Sequence, residues 1–107
     1  MAYSLVVRFT ARDAAAAAAF DHLAAETLEG IKASEPGTLV YVSHTPVDEP
    51  TVRVFYELYE DREAFLQHEE QPHVKRFLTE RGQHLIQTEV TFLDEVVGKR
   101  PSSARER

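Results

Sequence analysis

The stretch YELYEDREAFLQHEEQPHVKRF, residues 56–77, decides how the chain is read. Its opening alternates like the end of a strand, and Asp61 then supplies a side-chain oxygen that can cap a helix through DREAFLQHEE. Pro72 stops that helix, because proline lacks an amide hydrogen and clashes with the preceding turn, yet it suits the first position of a second helix. The second piece carries Val74, Phe77, Leu78 and Leu85, with Gly82 as a late weak point. HEEQPH, His68 to His73, straddles the break. Two histidines one helical turn apart could share an ion, but these are five positions apart and would be rotated by roughly 140° on a continuous helix. No metal site is expected, and the break itself needs another reason.

Outward from this stretch, the chain reads as one unit over residues 1–97 followed by a polar tail, residues 98–107. YSLVVRF (Tyr3 to Phe9) is rich in β-branched residues and reads as a strand. TARD follows, with Thr10 as the expected N-cap and Asp13 completing a capping box. A long helix is expected next, since the alanine run Ala14 to Ala19 has high helix propensity and Phe20, Leu23, Ala24, Thr27, Leu28 and Ile31 form one stripe. SEPG (Ser34 to Gly37) ends it. TLVYVSHT and TVRVFYELYE read as a hairpin around PVDEP, and TEVTFLDEVV as a last strand. Strand, helix, strand, strand, broken helix, strand is the α+β, ferredoxin-like split βαβ order, with a four-stranded antiparallel sheet and helices on one face.

Composition narrows the partners. A chain of 107 residues buries only about two thirds of its unfolded surface, so association with a second copy would help it. With 18 acidic against 12 basic residues the net charge is -6, which argues against nucleic acid and against an anionic membrane surface. Cysteine is absent, which excludes disulfides, thiolate metal sites and a cysteine nucleophile. No stretch resembles a signal peptide or a membrane span, so a cytoplasmic location is expected.

The strand ending in Tyr59 is apolar on both faces. Val52, Val54, Tyr56 and Leu58 lie on one, Phe55 and Tyr59 on the other. Helices cover one face only, so the face with Val40, Val42, Val52, Val54 and Tyr56 is expected to pack on a second copy, giving a homodimer of the dimeric α/β barrel type. Glu57 then falls beneath the helices beside Phe55 and Tyr59, where a charge is costly unless hydrogen-bonded, for example by a tyrosine hydroxyl.

EPGTLVYVSH (Glu35 to His44) together with residues 56–77 resembles the antibiotic biosynthesis monooxygenase family, whose members include quinol monooxygenases and anthrone oxygenases. The resemblance runs from Tyr3 to about Val97 and is most specific in Glu57, Tyr59, Asp61, Ala64, Phe65, His68, Pro72, His73 and Phe77, a succession similar to the family's E-x-W, capped helix, A-x-x-x-H and p-H-x-x-x-F spacing. Tyr59 stands where the family usually has tryptophan, and Phe55 where anthrone-oxidising members have asparagine. Haem-degrading relatives carry an asparagine and a histidine where Val7 and Leu78 are the nearest matches, so haem degradation is not expected.

The resemblance implies a monooxygenase that needs no cofactor. A phenol, hydroquinone or anthrone-type polyketide would be deprotonated and would itself supply electrons to dioxygen. Such a site needs a base near neutrality, donors for the developing anion and a dry slot for a flat ring. The expected catalytic residues are His68 or His44 as base, Tyr59 as wall and hydroxyl donor, and His73 as orienter; Phe55, Glu57, Phe65 and Phe77 are expected to contact substrate. Two other readings stay open: a dimeric module that binds a small ligand without turnover, and an isomerase of a small phosphorylated metabolite with Lys75, Arg76 and Arg81 as phosphate ligands.

Overall fold

A computed structural model describes residues 2–100 of the chain. Strand β1 (Tyr3–Ala11) leads into α1 (Ala14–Ser34), the hairpin β2 (Thr38–His44) and β3 (Val52–Tyr59), helices α2 (Arg62–Glu70) and α3 (Pro72–Glu80), a 3-10 turn (Arg81–His84) and β4 (Leu85–Asp94). The sheet order is β2-β3-β1-β4 with every neighbouring pair antiparallel, the ferredoxin-like α+β arrangement expected from the sequence. Among the described residues, no helix is long and apolar enough to cross a membrane. Of the expected tail, residues 101–107 lie outside the described part.

The local differences have simple causes. Thr10 does not cap α1: it stays in β1, paired with Val52 and Gln87, and Asp13 is the cap, accepting from the Ala16 amide at 2.8 Å. Leu85 belongs to β4 rather than to the second helical piece, because the 3-10 turn after Glu80 redirects the chain and pairs Leu85 with Ala11. The last strand therefore starts earlier than the run from Thr88 and ends at Asp94, three residues before Val97. The break itself is as the sequence indicates. Asp61 caps α2 through the Ala64 amide at 2.8 Å, and Gln71 is extended (φ -71°, ψ 140°) before Pro72 opens α3.

The core lies between the sheet and the helices. Phe9, Phe20, Phe55 and Tyr59 are almost wholly buried, with Phe9 and Phe55 meeting edge to face at 4.9 Å. Burying each such ring contributes about 1.5 to 3 kcal/mol, so this aromatic floor fixes where α2 and α3 can rest. On the opposite face, Val40, Val54 and Tyr56 are half-buried and Val42 is exposed, but Val52 is already buried within the chain. The open patch expected from the sequence thus loses one member.

Candidate functional site

A small cavity of about 100 Å³ opens between the sheet and the α2–α3 bend. Its floor is Leu5 and Val7 of β1, its side Val90 and Phe92 of β4, and its roof Phe65 and His68 of α2 with Phe77 and Leu78 of α3. Alternation in β1 turns Leu5 and Val7 toward the helices, and the spacing of Phe65 and His68 presents both on the buried side of α2. Four polar groups face this apolar space: Tyr41, Glu57, His68 and Arg81, with Glu69 at its edge. A larger groove of about 530 Å³ runs between α1 and the β2–β3 hairpin, but its charged residues, Asp21 and Arg53, are tied to each other by two hydrogen bonds of 2.7 and 2.8 Å.

Electrostatics separate the polar groups of the small cavity. Burial raises the Glu57 carboxyl, although the Tyr59 hydroxyl bond and the charges of His68 and Arg81 oppose it. Tyr59 donates to Glu57 Oε1 at 2.6 Å, and burial together with that carboxylate pushes its phenol far above the ordinary range. The Tyr41 phenol is likewise raised well above its ordinary value, by burial first and then by Glu57 and Glu35. Burial lowers Arg81, whose guanidinium sits 5.4 Å from the Phe9 ring centroid and 5.8 Å from that of Phe77. A guanidinium over aromatic faces keeps its charge while losing water, and Arg81 forms no ion pair among the described residues.

Glu35, in the turn after α1, lies behind the roof. Its carboxylate accepts from His68 Nδ1 at 2.6 Å, from the Thr38 hydroxyl at 2.7 Å and, on its other oxygen, from His73 Nε2. Burial would raise this carboxyl, but the bonds from His68, Thr38 and His73 outweigh it and hold the group below its ordinary value. The two histidines on either side of the helix break thus grip one carboxylate. Two glycines allow the close approach. A Cβ on Gly30 would fall 2.4 Å from His73 Cγ, and one on Gly37 would fall 2.8 Å from the Ala64 Cβ.

The expected site residues therefore separate into three groups. His68, Glu57, Phe65 and Phe77 meet at the cavity. Tyr59, Phe55 and His73 stand one layer behind it: Tyr59 and Phe55 are fully buried core and Tyr59 spends its hydroxyl on Glu57, while His73 bonds Glu35. His44 is on the other side of the sheet. It pairs with Val54, is exposed, and binds the Val54 carbonyl through Nδ1 at 2.9 Å. Of the expected phosphate ligands only Arg81 faces the cavity; Lys75 pairs with Glu70, and Arg76 with Glu80 and Glu26. Tyr41 and Glu35 were not among the expected residues. Tyr41 is signalled by its phase in TLVYVSH, where it pairs with Glu57 and shares its face. Val7 and Leu78 are apolar walls of the cavity.

The comparisons with known proteins agree with this α+β fold. The family described as Antibiotic biosynthesis monooxygenase matches residues 2–80, and the chain belongs to that family. Among solved structures, Rv0793 from Mycobacterium tuberculosis is 23% identical, with TM-score 0.84 over 94% of this chain and 100% of that one. A candidate antibiotic biosynthesis monooxygenase from Caulobacter crescentus is 26% identical, with TM-score 0.83 over 90% of this chain and 91% of that one. Another from Bacteroides thetaiotaomicron shares the fold at 19% identity, with TM-score 0.83 over 95% and 96% of the two chains. No curated protein matches the chain. Family membership supports a monooxygenase-like role.

Proposed function

We propose that the chain is a cofactor-independent monooxygenase that oxidises a single-ring phenol or hydroquinone with dioxygen. The observation that carries this reading is the joint presence of an imidazole and an unpaired guanidinium on one small, largely apolar cavity. His68 takes the phenol proton. The phenolate is held by Arg81 and by the Tyr41 hydroxyl, which donate where the charge develops. The electron-rich ring then reduces dioxygen. For 1,4-dihydroxybenzene the sum is one hydroquinone and one O₂ giving 2-hydroxy-1,4-benzoquinone and water: the ring loses four electrons, one oxygen atom forms the new C–O bond and the other leaves as water.

The size of the cavity favours one ring over three. It measures about 100 Å³, below the roughly 150 Å³ that holds a benzene molecule, so a single ring enters with a small shift of the walls. A tricyclic anthrone would have to displace wall residues. Phe65 and Phe77, both buried, shield the inner side of the cavity from water, which strengthens the attraction of the anion to Arg81 there.

The working unit in this reading is a homodimer packed through Val40, Val42, Val54 and Tyr56, because the helices leave these residues uncovered. Sedimentation across micromolar dilution is expected to give a dimer, and a monomer at every concentration would remove that part. For the activity, oxygen uptake and quinone formation are measured with 1,4-dihydroxybenzene, catechol and anthrone. Uptake with the single-ring probes, insensitive to chelators, is expected; no enzyme-dependent uptake with any probe would favour the non-catalytic binding module.

A further inference from the structure

We propose that Glu35 is the positioning carboxylate of this site: it locks His68 in the Nδ1–H tautomer and so turns the Nε2 lone pair toward the cavity. The inference rests on reading His68 as the base and assigns how the fold prepares it. An ionised carboxylate only accepts hydrogen bonds, so both ring nitrogens that approach Glu35 must carry hydrogen. For neutral His68 that fixes the hydrogen on Nδ1, 2.6 Å from Glu35 Oε1, and leaves Nε2 bare. Nε2 makes no hydrogen bond, and no fully buried side-chain nitrogen or oxygen among the described residues lacks a partner, so this nitrogen is not sealed off; with Nδ1 turned to Glu35, the proposed orientation directs Nε2 to the cavity that His68 shares with Tyr41, Glu57 and Arg81.

The surrounding residues hold the carboxylate rather than the imidazole. Thr38 donates to the oxygen that His68 uses, and His73 donates to the other, so the carboxylate plane cannot rotate away. His73 reaches it only because Gly30 leaves room for the ring against the backbone of α1. A glycine inside a helix costs about 1 kcal/mol relative to alanine, and no turn requires one at Gly30, which has no positive φ. Close approach is its remaining use. The helix break at Gln71 and Pro72 has the same purpose, since it carries His73 back toward the carboxylate that His68 already holds.

Nitrogen-15 NMR of the resting protein reads the tautomer directly, with His68→Ala used to assign the signal. The wild type is expected to show a protonated Nδ1 and a pyridine-like Nε2 on neutral His68. Glu35→Gln, which cannot accept from both histidines, is expected to mix the tautomers and to lower kcat on 1,4-dihydroxybenzene roughly a hundredfold with KM little changed. An Nε2–H tautomer in the wild type would overturn the proposal even if no variant folds. So would a Glu35→Gln protein that keeps both tautomer and kcat. An Nδ1–H wild type without oxygen uptake would instead sink the oxygenase reading while supporting the hold of Glu35 on His68.

Discussion

Glu35 and Glu57 are buried to nearly the same depth, 9% and 6% exposed, yet their surroundings drive them apart. Glu35 sits in the joint between α1 and the α2–α3 bend with donors from His68, Thr38 and His73, and it is held below its ordinary value. Glu57 sits on the cavity side of the sheet with one donor, Tyr59, and burial raises it. Two things separate them: the Glu57 carboxyl is the more heavily desolvated, and the Glu35 carboxylate has more hydrogens aimed at it. The first glutamate is committed to structure and to orienting a neighbour. The second uses only one oxygen on Tyr59 and faces the cavity.

The largest expected effect is on the committed member. Glu35→Ala removes the acceptor of three donors, two of them on histidines that anchor separate helices, and should cost about 3 kcal/mol in denaturant unfolding. A loss below about 1 kcal/mol would mean that the joint is held by packing alone. Gly30→Ala comes next. Helix propensity favours alanine, but its Cβ would meet the His73 ring, so a net loss of about 1 to 2 kcal/mol is expected. A stabilised protein would show that His73 can leave Glu35 freely. Glu57→Gln should be the mildest, within about 1 kcal/mol of the parent, because a carboxamide oxygen still accepts from Tyr59.

The pH dependence sharpens the contrast, since the two carboxyls shift in opposite directions from 4.5. Glu35, lowered, contributes stability that is present above its unfolded value and lost as pH falls through its folded value. The deficit of Glu35→Gln should therefore shrink as the medium is acidified below pH 4.5. Glu57, raised, contributes stability that is complete below its unfolded value and lost as pH rises through its folded value. Glu57→Gln should accordingly gain on the parent as pH climbs above 4.5. Parallel pH profiles for the two variants would contradict the distinction drawn between the sites.

Much of the fold could be read locally. Asp61 as cap, Gln71 and Pro72 as break, and the alternation that puts Phe55, Glu57 and Tyr59 under the helices are all signals within a few residues. The site was less legible because its decisive pairings are remote. Glu35 and His68 are 33 positions apart, and within SEPG the glutamate reads only as part of a helix stop. Arg81 reads only as a candidate phosphate ligand of the isomerase alternative, and it is the 3-10 turn that brings it over Phe9 and Phe77. Tyr59 shows the opposite failure: its place beside Glu57 was legible, but full burial gives its hydroxyl to that carboxylate rather than to a ligand. His44 could have been separated from His68 by strand parity once Tyr41 was paired with Glu57.

The central claim is that His68, backed by Glu35, removes a proton in the small cavity, and oxygen uptake by His68→Ala tests it most directly. With 1,4-dihydroxybenzene at saturation, the variant is expected to lose roughly a hundredfold or more of kcat while its circular dichroism stays that of the parent. His44→Ala, altered on the other side of the sheet, should retain the parent rate. A folded His68→Ala protein that consumes oxygen as fast as the parent would contradict the account.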